Sequence, residues 1–157
     1  MFVLRRVVPI ALSVLAFATV FLPWAEAGVA LGVESVFGHE IPVIGWSAIT
    51  ASLLLIALSV VGALQSSRWW WVGASFVAVV MITSAGLTLI TIDVVDSAAV
   101  RWIVEVLPQS VQDASPSISP SFGLWVMIAL LLLYEILAAF LTVRVGARKV
   151  RNAQKSS

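Results

Sequence analysis

The chain has no cysteine, a single histidine and a single tyrosine, and only 11% of its 157 residues are charged. Without cysteine there is no disulfide framework, no thiolate metal site and no cysteine nucleophile. His39 has no second imidazole to join it, which leaves it a weak candidate for zinc. The net charge of +1 supplies no basic field to recruit nucleic acid. Soluble domains carry about 25% charged residues, and here the shortfall is filled by apolar ones. The chain is 61% hydrophobic with a mean hydropathy of +1.09. A chain of this size cannot hide so much apolar surface in a core of its own. The expected solvent is lipid, and the expected protein a single integral membrane domain.

A bilayer core of about 30 Å takes roughly 20 apolar residues as a helix. Three runs meet that length, and a fourth, 7–22, reaches it when extended at both ends. Helix is the form that satisfies every backbone group inside its own segment. The reading is an all-α membrane protein, a bundle of four transmembrane helices over about 3–24, 44–64, 69–92 and 122–143. Arg5, Arg6, Arg68 and the basic residues of the tail, 144–157, fall on one side, with only Arg101 on the other. The positive-inside rule then places both termini in the cytoplasm of a bacterial cell, the chain passing several times through the plasma membrane. Glu26, Glu34, Glu40, Asp93, Asp96, Glu105 and Asp113 all fall outside. Trp24, Trp46 and Trp125 stand at outer ends of spans, Trp69, Trp70 and Trp71 at an inner end and Trp102 in an outer loop. These are positions for an interfacial aromatic belt, so all seven are expected to be interface anchors. The first run also reads as a signal peptide with an Ala-x-Ala site after Ala27. Its long apolar core and Trp24 favour a retained helix.

The outer loop 25–43 alternates partly, with glycines at 28, 32 and 38, and is expected to form a short β-hairpin. His39 there, near Glu34 and Glu40, reads as a solvated loop residue, the sharper alternative being a pH sensor or metal ligand. The loop 93–121 opens with helical spacing at Val95, Ala98, Ala99, Trp102, Ile103 and Val106. An amphipathic helix in the headgroup region is expected, capped by Asp93 or Asp96 and ended by Pro108. The Ser- and Pro-rich remainder is expected to be an irregular tether. The carboxylates lack calcium-loop spacing, so no metal is expected. The basic tail suits anionic lipid.

One acid breaks the pattern. Glu135 lies in "LLLLYEILAAF", nine residues before Arg144, or about 13 Å of helix inside the membrane boundary. An acid at the centre of a span costs about 2.5–3.5 kcal/mol to insert, which a leucine-rich run absorbs. Such a residue commonly faces the bundle interior. At a similar depth the other spans offer Ser13, Ser59 and Ser75. Together with Glu135 they form an expected intramembrane polar layer. Ala74, Ala78 and nearby Gly73 provide a close-packing face on the third span. Glu135 then ties helices together, or faces a partner protein, or carries protons or cations. Transport pathways normally add further ionisable groups, broken helices or repeats.

No catalytic constellation is present: no histidine beside a nucleophile, no paired carboxylates on one helix, no glycine-rich phosphate cradle. No enzyme activity, cofactor or small-molecule substrate is expected. The Arg pair before the first span, "FLPW" (21–24), "GW" (45–46), "RWWW" (68–71) and "FGLW" (122–125) before a basic tail together form a layout. It resembles small, Trp-rich, four-span membrane proteins of actinobacteria, across the whole chain. The resemblance implies no reaction and transfers no functional residues. Some small membrane proteins of that group are accessory subunits of the cytochrome bc–cytochrome oxidase supercomplex. "GLW" also occurs in claudins, but there in the first outer loop beside two cysteines, and that match is rejected. The expected partners are membrane lipid and other integral membrane subunits. The expected role is a non-catalytic accessory or scaffold subunit of a larger membrane complex, possible membership of a respiratory supercomplex being what the resemblance implies. The alternative is a small transporter or proton-coupled sensor using Glu135.

Overall fold

The computed structural model describes residues 2–29, 32–65, 67–92, 98–113 and 117–154. Four long helices lie side by side: α1 (Phe2–Ala18), α2 (Pro42–Gln65), α3 (Arg68–Thr91) and, last in the chain, α6 (Phe122–Gln154). α1 packs on α2 and α6, and α3 packs on the same two, which closes a ring. Pro42 opens α2 at a position where its missing N–H costs nothing. No proline interrupts α2, α3 or α6. Pro42–Gln65, Arg68–Thr91 and Phe122–Val143 are each long and apolar enough to cross a membrane, and Val7–Phe21 is a shorter apolar helix.

The buried faces share one rhythm. α2 buries Gly45, Ala48, Ser52, Leu55, Ser59 and Gly62, and α3 buries Trp71, Ala74, Ala78, Met81, Ala85 and Thr88. On α6 the series is Leu124, Met127, Leu131, Tyr134, Ala138 and Leu141. Steps of three and four alternate throughout, the repeat that keeps one seam facing a neighbour along the full length of nearly parallel helices. The inward residues of α2 and α3 are mostly small, and those of α6 mostly large. Close backbone approach on one side is thus filled by bulk from the other. The α2–α3 turn fixes one end of the bundle. There the Trp71 ring lies across Gly62, where an added Cβ would come within 3.2 Å of it.

The opposite end carries a small sheet. β1 (Pro23–Val29) lies between β2 (Gly32–Phe37) and β3 (Ser117–Pro120), antiparallel to both. Ala27 is opposite Glu34 on one side and Ile118 on the other. α4 (Ala98–Glu105) and the single turn α5 (Gln109–Gln112) precede β3. Ile103 and Leu107 join Ala25, Ala27 and Val36 in the same buried cluster as the helix seams, while Arg101 and Glu105 stay exposed. The expected amphipathic helix is therefore present. Its proposed caps, Asp93 and Asp96, lie outside the described residues.

Three expectations need correcting. The segment 117–120 is not a tether but the third strand, because β1 offers a second free edge and Ser121 N–H closes the pairing on Trp24 O at 2.9 Å. The first helix does not reach residue 24: it ends at Ala18, a 3-10 turn follows at Thr19–Phe21, and the strand begins at Pro23. Trp24 is consequently no interface anchor. It occupies the irregular step between Pro23 and Ala25, only 2% exposed, with its indole N–H donating to Thr19 O at 2.8 Å. Beyond the apolar stretch Phe122–Val143, α6 continues as helix to Gln154, so the start of the basic tail is helical.

Candidate functional site

Tyr134 and Glu135 are neighbours on α6. Successive helical residues project about 100° apart, so the two side chains meet different helices. Tyr134 OH lies 2.7 Å from Ser59 Oγ on α2. Ser59 has one hydroxyl proton, and its oxygen lies 2.7 Å from Leu55 O, the carbonyl one turn back, to which it donates. Tyr134 is therefore the donor across the helix interface, in a chain running Tyr134 to Ser59 to Leu55 O. Both residues are fully buried.

Glu135 turns to α3. Ser75 Oγ donates to Glu135 Oε2 at 2.5 Å. The other carboxyl oxygen, Oε1, is buried and has no hydrogen-bond partner among the described residues. Both Ser75 and Glu135 are half-buried, placing this pair at the rim of the α3–α6 seam rather than on the bundle axis. Two adjacent side chains of the last helix thus bind two different neighbours.

Of the expected polar layer, only Ser75 and Glu135 pair with each other; Ser59 pairs instead with Tyr134, and Ser13 joins neither pair. Ser13 is buried on α1 and donates to Ile10 O of its own helix at 2.8 Å. Tyr134 was not singled out by sequence, although the chain's only tyrosine beside its only mid-span acid was a usable signal. Ser52 was also missed. It is fully buried two turns from Ser59 on the same seam, and its hydroxyl has no partner among the described residues.

The tryptophans divide by environment. Trp46, Trp69 and Trp125 are more than half exposed on the helix surface, and Trp70 and Trp102 are half-buried. Trp70 donates to Gln65 Oε1 at 2.6 Å, and the Arg68 guanidinium sits over the Trp69 ring, 5.1 Å from its centroid. Trp71 joins Trp24 inside the protein, so it too is a packing residue and not an anchor. His39 is exposed with its ring 5.2 Å from that of Phe21, and neighbouring Glu40 accepts the Phe37 N–H at 2.9 Å. Among the described residues no three His, Cys, Asp or Glu gather as a metal site would require. The arrangement is suited to joining helices.

No protein-family model matches the chain, and comparison with curated proteins and with solved structures finds no match.

Proposed function

We propose that the chain is a non-catalytic four-span protein of the bacterial plasma membrane, working as an accessory or scaffold subunit of a larger membrane complex. The observation that carries this reading is the pair of clamps on α6: Tyr134 to Ser59 and Ser75 to Glu135 use the bundle's polar groups to hold helices, not to line a path. α1 supports the fourth span. Its apolar part, Val7–Phe21, combines helix to Ala18 with the 3-10 turn and rises about 24 Å, a short span against the roughly 30 Å of a hydrocarbon core. The helix positions of Arg5, Arg6, Arg68, Arg144, Arg148, Lys149 and Arg151 fall at the α2–α3 turn end, which this reading places in the cytoplasm, with the sheet outside. The exposed Leu132, Leu133 and Ile136 flank Glu135 and offer a second protein an apolar surface, beneath which Oε1 lies buried. The actinobacterial resemblance makes a respiratory supercomplex the first assembly to examine.

The second reading, a proton-coupled transporter or sensor, rests on the same unpartnered Oε1. Mild-detergent purification of the tagged full-length chain from its own membranes, with mass spectrometry of all recovered proteins, tests the first reading. Stoichiometric partners are expected, and a chain that stays alone in native-lipid particles would sink it. Glu135→Gln separates the two. Gln still accepts from Ser75, so a subunit keeps its partners and stability, whereas a proton or cation carrier loses its activity.

A further inference from the structure

Between the sheet-end halves of α2 and α3 the two helices leave a crevice of about 80 Å³ that opens on the bundle surface. Its floor is made by Met81, Met127 and the Trp24 ring, all nearly inaccessible from elsewhere, and its walls include Ala48, Ala51 and Ala85. Among the described lining residues the polar side chains are Ser47 and Ser84, both exposed, and the Trp24 indole, whose N–H is taken up by Thr19 O. Ser47 already donates to Ile44 O at 2.8 Å. We propose that this crevice is a binding site for one acyl chain of a phospholipid from the leaflet on the sheet side.

Three features select that occupant. Water needs two to four polar partners to be held in a cavity, and the inner walls here offer none. A dry cavity of about 150 Å³ accepts benzene, so about half that volume excludes an aromatic ring or a planar headgroup and admits a short run of flexible chain. Met81 and Met127 give a floor that adjusts to an irregular chain, since methionine is unbranched and polarisable. The place also matters. Ser47 and Ala51 lie in the first half of α2, Val80 and Ser84 in the second half of α3. The mouth therefore opens at hydrocarbon depth in that leaflet if α2 and α3 span the bilayer, the one part of the proposed function on which this inference rests.

The test uses the full-length chain in vesicles of phosphatidylcholine doped with the same lipid carrying a diazirine along one acyl chain. Illumination releases dinitrogen, and the resulting carbene inserts into bonds it touches, which peptide mass spectrometry locates. Adducts are expected at Met127 and Trp24, although both are buried, and not at Leu55 or Leu131, which are equally buried but do not line the crevice. Ala51→Leu, which fills the wall, and Ser84→Leu, which narrows the mouth from an exposed position, should each reduce the Met127 and Trp24 adducts to the level at Leu131. If Ala51→Leu fails to fold, Ser84→Leu decides alone. Adducts on exposed Leu133 and Ile136 without any at Met127 or Trp24 would overturn the acyl-chain site and leave the membrane placement standing. Equal labelling of Leu131, or floor adducts that persist in the folded variants, would overturn it as well. No adducts at Leu133 and Ile136 would refute the membrane placement itself and the site with it.

Discussion

Removing either half of the Tyr134–Ser59 contact should destabilise the bundle by unequal amounts, and the order is set by which hydroxyl donates. Tyr134→Phe takes away one oxygen at a site that is 1% exposed and leaves the ring packed. Ser59 keeps its donation to Leu55 O, so no donor is stranded. The loss is one interhelical hydrogen bond in a membrane, about 0.6 kcal/mol on average and at most about 1.7. Ser59→Ala is different. It leaves the Tyr134 hydroxyl buried with its proton unaccepted, a desolvation cost of about 1–3 kcal/mol. In the double variant the stranded group is gone, so it should be no less stable than Ser59→Ala alone. The coupling energy read from this cycle should lie between about 0.5 and 3 kcal/mol, as for residues in direct contact. Titration of the folded chain in mixed micelles with increasing dodecyl sulfate, followed by far-UV circular dichroism, measures all four stabilities. Tyr134→Phe costing more than Ser59→Ala would refute the donor assignment. Two silent single variants would refute the contact.

The same titration checks two further contrasts. Trp24→Ala empties a buried indole site and should cost about 3–5 kcal/mol, whereas Trp46→Ala, on a surface tryptophan 69% exposed, should stay within about 0.5. Equal losses would mean that Trp24 is an ordinary interface residue after all. Gly62→Val drives a Cβ into the Trp71 ring and should cost about 1–3 kcal/mol by overpacking. Gly73→Ala, whose new Cβ meets only Leu58 at 3.8 Å, should leave stability level or slightly raised. A tolerated Gly62→Val would show that Trp71 is free to leave that face.

Legibility in the sequence followed physical cause. The three long helices were readable because run length answers to hydrocarbon thickness alone, and the hairpin and outer helix because their apolar spacing is local. Trp24 was not, since a tryptophan at the end of an apolar run suits an interface and a core equally well. What distinguishes them is the turn of the chain at Pro23, which brings Gly38 against the indole. The strand 117–120 was hidden for another reason. "SISP" has the composition of a linker, and its strand form depends on an edge of β1 that lies about ninety residues earlier. The candidate site was half legible. Depth along a span located Ser59, Ser75 and Glu135 in one layer, but depth carries no azimuth. Only packing reveals that Ser59 meets Tyr134, that Ser75 meets Glu135 and that Ser13 turns back on its own helix.

The central strand also imposes an order in time. β1 follows α1 directly and is made early, and β2 can fold onto it at once. β3 is attached to the start of α6, and its Ser117 follows its partner Gly28 by 89 positions. At synthesis rates of about 5–20 residues per second, that interval keeps one edge of β1 open for roughly 5–20 s. Its alanines, Ala25 and Ala27, wait with it. The sheet is therefore completed only once the last helix is being made, so a chain halted before α6 exposes an unpaired strand edge to any protease or chaperone on that side of the membrane.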